Sequence, residues 1–327
     1  MIIYIDESGN FAPTSGASSV SLVAALVFSG SGFGWFSREY AKLRRRLPKN
    51  NGEVKGRLLN ESQSRRVVDL LRRSGALLEV VATDAAYNSP QEVERHRSLQ
   101  ASAMTAHLTP SHQPSLVSEV WSMRQELEGM SPQLYVQSVS MTELIYNVLY
   151  HADIFYAFRE PSELGRYSWI IDAKGRDGTT DWEHWWSRMV RPMLQSKSLR
   201  QPFPRVEEGD YSYQVHMRMG LPEHLRPFSN GNDNCFDLRP ILEDVDFSSE
   251  TQAGLEAVDI LANAVRRSLS GNYQRYGWIE IPRLMIHRND HYIRLFTVAG
   301  ANVDIELPEY ADVLNDFRAG GRSLFPS

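Results

Sequence analysis

The chain has 327 residues, 42% of them hydrophobic, which is enough to bury a large core in two domains or one elaborated domain. Its formal net charge of -5 gives no overall attraction to nucleic acid or to an anionic membrane. The single cysteine, Cys235, excludes an intrachain disulfide and a cysteine metal cluster, and it fits a reducing compartment. The longest apolar stretch, residues 20–28, is too short to span a bilayer, and the first residues lack a signal-peptide pattern, so we expect a cytoplasmic protein.

The charge is unevenly distributed along the chain. Residues 38–73 contain twelve lysines and arginines against four acids, a net charge of +8 that leaves -13 for the remainder. Such a basic segment can bind the phosphate backbone of nucleic acid. It can equally consist of solvated helix ends favoured by the helix dipole, which is the commoner outcome for such runs.

The first quarter of the chain predicts strands and helices. The β-branched and aromatic run Ile2–Ile5 predicts a short buried strand, which a turn at residues 8–10 ends. The sequence "SSVSLVAALVFSG" predicts a longer strand that pairs with the first as a hairpin. Helices are expected at Trp35–Leu47 and Glu61–Arg73, and "ALLEVVATDAAY" predicts a third strand.

The middle of the chain, residues 90 to about 160, has mostly helical periodicity, and Ser131-Pro132 is a typical helix start. The sequence "RYSWIIDAKGRDG" then repeats the pattern of the chain's opening, an apolar strand that runs into an aspartate and a glycine-containing turn. The next segment, "TTDWEHWWSRMVRPML", predicts a helix with Thr180 or Asp181 as its cap and with its tryptophans as a packing face.

The last third predicts strands at 211–219 and 238–245, and then a helix over "SETQAGLEAVDILANAVRRSLSG" that Gly271 ends. Short strands and a last helix at 308–318 follow. Hairpin strands first and helix-flanked strands later indicate a mixed α/β fold with one large helical insertion. Residues 272–327 would be a small C-terminal α+β extension packed on the core.

Asp6 directly follows the first predicted strand, in the sequence "YIDESGN". A carboxylate at the end of a buried strand is costly unless it has a partner. Asp6 could accept hydrogen bonds from the backbone of residues 8–10 in an Asx-type turn. Alternatively, it could be one ligand of a metal site, because a rigid strand end holds ligand geometry. One aspartate does not decide between these two interpretations.

Two further acids have comparable settings. Asp172 ends the strand in "WIIDAKG", and Asp259 lies at the margin of the buried stripe of the late helix, with Glu256 on the same side. Mg²⁺ and Mn²⁺ take hard oxygen ligands, and two such ions about 4 Å apart can clamp both reacting oxygens of a phosphodiester. For Asp259 and Glu256 the alternative is a solvated helix edge that pairs loosely with Arg266 or Arg267.

Three residues are candidates for substrate contacts. Lys55, in "EVKG", would contact phosphate because the glycines at 52 and 56 permit close backbone approach, or it could be an ordinary surface lysine. Ser8 and Lys174 follow the two strand-end aspartates and would also bind substrate. Since the sequence has neither a Walker-type phosphate loop nor a Rossmann glycine fingerprint, nucleotide-dependent chemistry is unsupported.

The sequence resembles the uncharacterised domain-of-unknown-function family 3800 in four motifs: "YIDESGN", "EVKG", "WIIDAKGRDG" and "AGLEAVDILANAVRR". These short motifs span the chain from Tyr4 to about Arg267. The resemblance implies a ribonuclease H-like mixed sheet flanked by helices over residues 1–271, with the helical insertion at about 90–160.

The resemblance also implies the residues of the site. Asp6, Asp172 and Asp259 would bind Mg²⁺ or Mn²⁺, and Glu7 and Glu256 would be auxiliary catalytic acids. Strand alternation places Glu7 on the face opposite Asp6, so Glu7 can join the site only if the turn begins there.

The chain departs from the family pattern in the late helix. Glu256 stands where the family usually has Gln, and Val258 stands where it usually has Ala. The acid often found just before that helix is also missing from its usual place, since "FSSET" offers only Ser248, Ser249 and Glu250. The extra acid at 256 could add a metal ligand, or it could mark a divergent member whose activity has changed.

We therefore expect a metal-dependent nuclease that acts on RNA or DNA, in bacterial phage defence or mobile-element biology, with metal-bound water as its nucleophile. The alternative is a catalytically degenerate ribonuclease H-like module that binds nucleic acid or a protein partner. An actin-like or sugar-kinase-like phosphotransferase would also place an acid on its first strand, but its phosphate loops are not visible in this sequence. Nucleic acid is the expected partner, with a homodimer or a defence-system protein as further possibilities.

Overall fold

A computed structural model describes residues 1–13, 18–173, 180–214, 220–229, 231–232, 234–299 and 309–326. These residues form a six-stranded mixed sheet in the order β5-β4-β1-β2-β3-β6. β2 is antiparallel to β1 and β3, whereas β4 is parallel to β1, β5 to β4 and β6 to β3. The predicted α/β class is thus confirmed. The strands are β1 Ile2–Ser8, β2 Val20–Phe28, β3 Leu77–Asp84, β4 Ser168–Asp172, β5 Asp244–Ser248 and β6 Ile293–Phe296.

Helices flank the sheet on both faces, as the sequence predicts. Asn60, Ser89 and Thr180 each form a reciprocal capping box with the residue three positions later, and Ser131 caps the longest helix. In the described residues the helices are α1 Gly30–Arg44, α2 Glu61–Arg73, α3 Pro90–Thr105, α4 Pro114–Gly129, α5 Pro132–Ala157, α6 Asp181–Arg188, α7 Val190–Arg200, α8 Ala253–Leu269, α9 Arg275–Trp278 and α10 Ala311–Asp316.

Side-chain alternation along β1 divides the core into two layers. Ile3 and Ile5 pack in the layer that contains α5, whereas Tyr4 packs in the layer that contains α8. β2 and β3 are buried at every residue because the sheet is covered on both faces. A Cβ on Gly254, at the start of α8, would overlap the Tyr4 ring, so this glycine permits α8 to pack directly on β1.

The residues predicted as a helical insertion form α3, α4 and α5 on the face opposite α8. α5 is buried along most of its 26 residues and packs against β2 and β3, while α3 packs on both α4 and α5. After the insertion, Trp182 and Trp185 of α6 are buried and stack with ring centroids 5.0 Å apart. The predicted aromatic packing face of that helix is therefore confirmed.

The first strand is longer than the sequence predicts. It continues through Asp6 and Glu7 to Ser8, because β2 pairs with it along this whole length, as far as Leu22 opposite Ser8. Asp6 is consequently inside a paired strand, and the turn begins after Ser8.

Two later strand predictions were wrong in their bounds. In the strand predicted at 238–245, Arg239–Leu242 form a 3₁₀ turn and β5 begins at Asp244, since the proline in this turn cannot donate to a sheet ladder. Of the strand predicted at 211–219, residues 211–214 contain a turn, and the other five lie outside the described residues.

The C-terminal segment adds an edge strand to the main sheet. β6 pairs in parallel with β3, with Val80 opposite Ile293. The helix predicted at 308–318 is present as the shorter α10. Among the helices that the structure describes, none combines the length and the apolar character needed to cross a membrane.

Candidate functional site

Asp6 and Asp172 lie at the same level on two neighbouring parallel strands. The register pairs Ile5 with Ile171, so the aspartates are the next residues on β1 and β4. The residues two positions earlier on each strand pack in the α8-side core, which places both carboxylates on that face of the sheet. Because neighbouring strands are about 4.8 Å apart, the fold brings these two predicted acids together.

Glu7 is directed away from this pair. β1 is regular through Glu7, so the turn that would bring Glu7 beside Asp6 does not form there. Glu7 instead lines a cavity on the opposite face of the sheet with Phe11, Gln137 and Trp182. Asp6 is 7% exposed, and its Oδ1 accepts a hydrogen bond of 2.8 Å from the Glu7 N–H.

Asp259 approaches the same face of the sheet from α8. Its Oδ2 accepts a hydrogen bond of 2.7 Å from the N–H of Gly56, in the "EVKG" segment. A Cβ on Gly56 would lie 2.7 Å from the Asn263 Cβ and 2.8 Å from the Ile260 Cα. The glycine at 56 is therefore needed for close packing of this segment on α8. That use differs from the close approach to phosphate predicted from the sequence.

Glu256, one turn before Asp259, is completely buried. Its carboxylate accepts hydrogen bonds of 2.7 Å from Arg44 Nε, from Arg44 Nη2 and from the Val54 N–H, and one of 3.0 Å from the Tyr40 hydroxyl. Four donors match the acceptor capacity of a carboxylate. The alternative of a solvated helix edge is thus wrong for Glu256, which fastens α1 and the "EVKG" segment to α8.

Lys55 lies among acids. Its Nζ is 2.6 Å from Glu53 Oε1, and the two side chains are 29% and 28% exposed. Burial by itself lowers the pKa of Lys55, but the hydrogen bond to Glu53 and the charges of Asp259, Glu53 and Asp172 raise that pKa above the ordinary lysine value. We call Glu53, Asp172 and Asp259 the acid group.

The charges of the acid group act on one another. Burial raises the pKa of Asp172, and the charges of Glu53 and Asp259 raise it further against the opposing charge of Lys55. Burial also raises the pKa of Asp259, while the Gly56 N–H and Lys55 lower it and Glu53 raises it. Each carboxylate therefore lies in the field of the others, and the negative charge of the group favours a cation.

Glu53 is absent from the site residues predicted from the sequence. It is the first residue of "EVKG", and residues two apart in an extended segment point to the same side. This two-residue spacing from Lys55 is the sequence feature that could have indicated Glu53 as a site residue. It gains meaning only from the packing of the segment on α8, which the sequence does not reveal.

Ser8, Arg266 and Arg267 have hydrogen-bond partners outside the acid group. Ser8 is buried, and its Oγ accepts a hydrogen bond of 2.8 Å from Arg266 Nε on α8. Arg267 donates to the Leu59 carbonyl at 3.2 Å. Lys174 lies outside the described residues, so its predicted substrate contact has no structural description.

Ten of the twelve basic side chains in residues 38–73 are exposed. The other two, Arg44 and Lys55, are ion-paired with glutamates at or beside the site. The last turns of α1 and α2 are basic, as the helix-dipole interpretation predicts. Arg57, by contrast, is exposed and its charge acts on Asp259, as a nucleic-acid face at the site would require.

The donor atoms at this site are of the kind that Mg²⁺ and Mn²⁺ prefer, namely carboxylate oxygens. Within the described ranges, however, no group of three or more His, Cys, Asp or Glu side chains is arranged to hold a metal ion. Mg²⁺ is commonly bound through one or two carboxylates together with waters and substrate phosphates. The carboxylate oxygens are therefore of the right chemical kind for such a cation, but the described residues do not form a closed all-protein cage.

Comparisons with known proteins give no match for this chain. No protein-family model matches it, and neither a curated protein nor a solved structure does. The resemblance to family 3800 stays a prediction that its four short motifs carry.

Proposed function

We propose that the chain is a divalent-metal-dependent phosphodiesterase, a nuclease that cleaves RNA or DNA. The observation that carries this proposal is the meeting of Asp6, Asp172 and Asp259, from two neighbouring strands and the facing helix, on one face of the sheet. A rigid edge of this kind holds charged groups in a fixed geometry around a reacting phosphate. Lys55, beside the acids, supplies a cation for the phosphate.

We further propose that the sheet is ribonuclease H-like and that the chain is related to family 3800. The antiparallel series β1–β2–β3, which continues on the far side of β1 into the parallel strands β4 and β5, supports this assignment. That order makes β1 and β4 neighbours, and so the first and third motifs supply adjacent aspartates.

The chain's own residues would divide the chemistry as follows. Asp172 and Asp259 would hold the cation, and Asp6 would add a ligand from the neighbouring strand. When bound, Mg²⁺ or Mn²⁺ supplies Lewis-acid stabilisation of the phosphate and lowers the pKa of a bound water. Lys55 neutralises charge on the phosphate oxygens, and Arg57 binds the backbone of the nucleic acid beside the scissile bond.

In this proposal Glu256 takes no part in the reaction and acts as a positioning residue. Its bonds to Arg44 and to the Val54 N–H hold the segment that carries Lys55. The departure from Gln to Glu at this position is then explained by the ion pair with Arg44. It does not add a metal ligand.

Cleavage of labelled single- and double-stranded RNA and DNA in Mg²⁺ or Mn²⁺ tests the proposal. Asp6→Asn and Asp172→Asn should each slow cleavage roughly a hundred- to a thousand-fold, since one lost ligand costs about 3–4 kcal/mol of transition-state stabilisation. Asp312→Asn, which changes an exposed aspartate on α10, is the matched control and should keep the full rate. A folded wild-type protein that cleaves none of these substrates would contradict the proposal.

A second candidate is a catalytically degenerate module that binds nucleic acid or a protein partner. It is favoured by the Lys55–Glu53 ion pair and by the lack of a three-ligand group among the described residues. Thermal unfolding with and without Mg²⁺ or Mn²⁺ separates the two candidates, because an ion at a hundred times its Kd stabilises the native state by about 2.7 kcal/mol. Retention of nucleic acid without cleavage and without this stabilisation would support the second candidate.

A further inference from the structure

The backbone on both sides of Lys55 is fixed to α8 through acids. The Val54 N–H donates to Glu256 Oε1 and the Gly56 N–H donates to Asp259 Oδ2, both at 2.7 Å. Between these two anchors, the Lys55 Nζ forms its ion pair with Glu53. The lysine is therefore held by its main chain at the edge of the acid group, whereas its side chain has a flexible four-carbon stem.

We propose that Lys55 is a built-in counter-ion, whose ammonium neutralises the acid group in the ligand-free chain and must leave these carboxylates before a divalent cation binds tightly. This inference rests on the proposed function, because the divalent cation is part of that function. It goes further, because it implies that the chain binds the metal weakly until a substrate is present.

The geometry permits this exchange without a movement of the loop. The Lys55 side chain is 29% exposed, so it can rotate toward solvent while the bonds of its two neighbours to α8 remain in place. A substrate phosphate offers the displaced ammonium a new anionic partner. Metal and phosphate then bind with positive coupling, and each raises the affinity of the other by the same factor.

The same arrangement explains why carboxylates gathered at one edge do not form a closed metal site in the described chain. An ammonium among them lowers the net negative charge that a divalent ion encounters. At an effective dielectric constant typical of proteins, two unit charges about 4 Å apart interact strongly. Removing one of them changes the affinity of a charged ligand by more than about tenfold. Partial exposure of Lys55 reduces this factor, and about tenfold is the effect we expect.

Isothermal titration with Mn²⁺ alone, on the full-length protein, tests the inference. Lys55→Met should bind Mn²⁺ about tenfold more tightly than the wild type, because the competing cation is removed. Lys55→Arg, which keeps the charge, should stay within about threefold of the wild type. Lys49→Met, which changes an exposed lysine six residues away, is the matched control and should leave the affinity unchanged.

A second titration uses dimethyl phosphate, the smallest phosphodiester, as the anionic probe. Saturation with dimethyl phosphate should tighten Mn²⁺ binding to the wild type, and it should have little effect on Lys55→Met, which lacks the ammonium that the phosphate captures. Circular dichroism and thermal unfolding establish that each variant is folded.

Two outcomes would overturn the inference. One is equal Mn²⁺ affinity in wild type and Lys55→Met, which leaves the nuclease proposal intact because both proteins bind metal. The other is failure of Lys55→Met to bind Mn²⁺ at all. In that case the cleavage assay with Asp172→Asn decides separately whether the proposed function also fails.

Discussion

The Arg44 guanidinium donates two hydrogen bonds of 2.7 Å to the Glu256 carboxylate, which is completely buried between α1 and α8. The same guanidinium donates to the Gly52 carbonyl at 2.5 Å. One side chain thus connects α1, α8 and the segment that leads to Lys55. The position of the lysine consequently depends on a contact between residues that are 212 positions apart in the sequence.

Removal of this buried carboxylate should destabilise the fold. We expect Glu256→Ala to lower the free energy of unfolding by about 2–4 kcal/mol, because Arg44 loses its partner and the Val54 N–H and Tyr40 hydroxyl lose their acceptor. Urea denaturation measures the change. Glu256→Gln keeps an acceptor oxygen and should lose less than half as much. A loss below about 0.5 kcal/mol for the alanine variant would show that the pair is dispensable.

Gly56→Ala should be destabilising for a steric reason. The added Cβ would lie 2.8 Å from the Ile260 Cα and from the Asp259 carbonyl oxygen, and these backbone atoms cannot rotate away. We expect a loss of about 1–3 kcal/mol, together with a weaker hold on Lys55. The matched control is Gly34→Ala in α1, where an added Cβ would meet no described atom beyond the adjoining helix backbone within 4 Å and where alanine should gain up to about 1 kcal/mol. Equal behaviour of the two variants in urea denaturation would refute this account of Gly56.

A buried aspartate outside the site should make stability depend on pH. Asp153 of α5 accepts hydrogen bonds from the Tyr167 hydroxyl at 3.0 Å and from Gln214 Nε2 at 2.8 Å, yet burial raises its pKa to about 7. Between about pH 4 and 7 the folded chain keeps a proton that the unfolded chain has released, so this group's contribution to stability falls as pH rises.

Asp153→Asn removes that titration. From pH 5 to pH 7 the wild type should lose about 2 kcal/mol of unfolding free energy relative to the asparagine variant, and little more above pH 8. Urea denaturation of both proteins at pH 5, 6, 7 and 8 measures the difference, and any constant offset between them cancels. Parallel pH profiles would mean that Asp153 titrates at its ordinary value in the folded protein.

Under the proposed function, nucleic-acid binding should depend on whether the lost positive charge lies beside the acid group or at the far end of α2. Arg57 precedes the start of α2 and lies beside Asp259, whereas Arg73 ends α2, about 20 Å away along the 13-residue helix. Arg57→Gln should weaken binding at all sequences and reduce the slope of log affinity against log salt by roughly 0.9. Arg73→Gln should alter neither. Filter binding between about 50 and 200 mM salt measures the affinity and its salt slope for both variants.

Part of the acid placement could be predicted from the sequence because its signals are local. An apolar run followed by an acid places Asp172 at the end of β4, and helical periodicity places Asp259 at the margin of a buried stripe. The same rule places Asp6 at the end of its strand, which is wrong, because β1 continues to Ser8. The cap at Thr180 follows from short-range rules of the same kind. β1 is longer than its apolar run because pairing with β2 extends the strand through polar residues that have low strand propensity.

The role of Glu256 and the presence of Glu53 could not be predicted. Both depend on the packing of one loop on α8, which brings Arg44, Val54 and Gly56 against a helix some 200 residues later in the chain. Helical periodicity does show that Glu256 and Asp259 share one side of α8. It does not show that one carboxylate is enclosed by donors while the other faces the sheet.

The pairing of β6 with β3 imposes an order on the folding of the chain during synthesis. Val80 meets Ile293, which emerges from the ribosome 213 residues later. At about 5–20 residues per second this delay is roughly 10–40 s, during which the outer edge of β3 has no strand to pair with. That edge is buried along its whole length in the folded chain, five of its eight residues are apolar, and it is a template for pairing with other nascent chains. Nascent chains that end before β6 should therefore be the aggregation-prone species and the ones that need a chaperone.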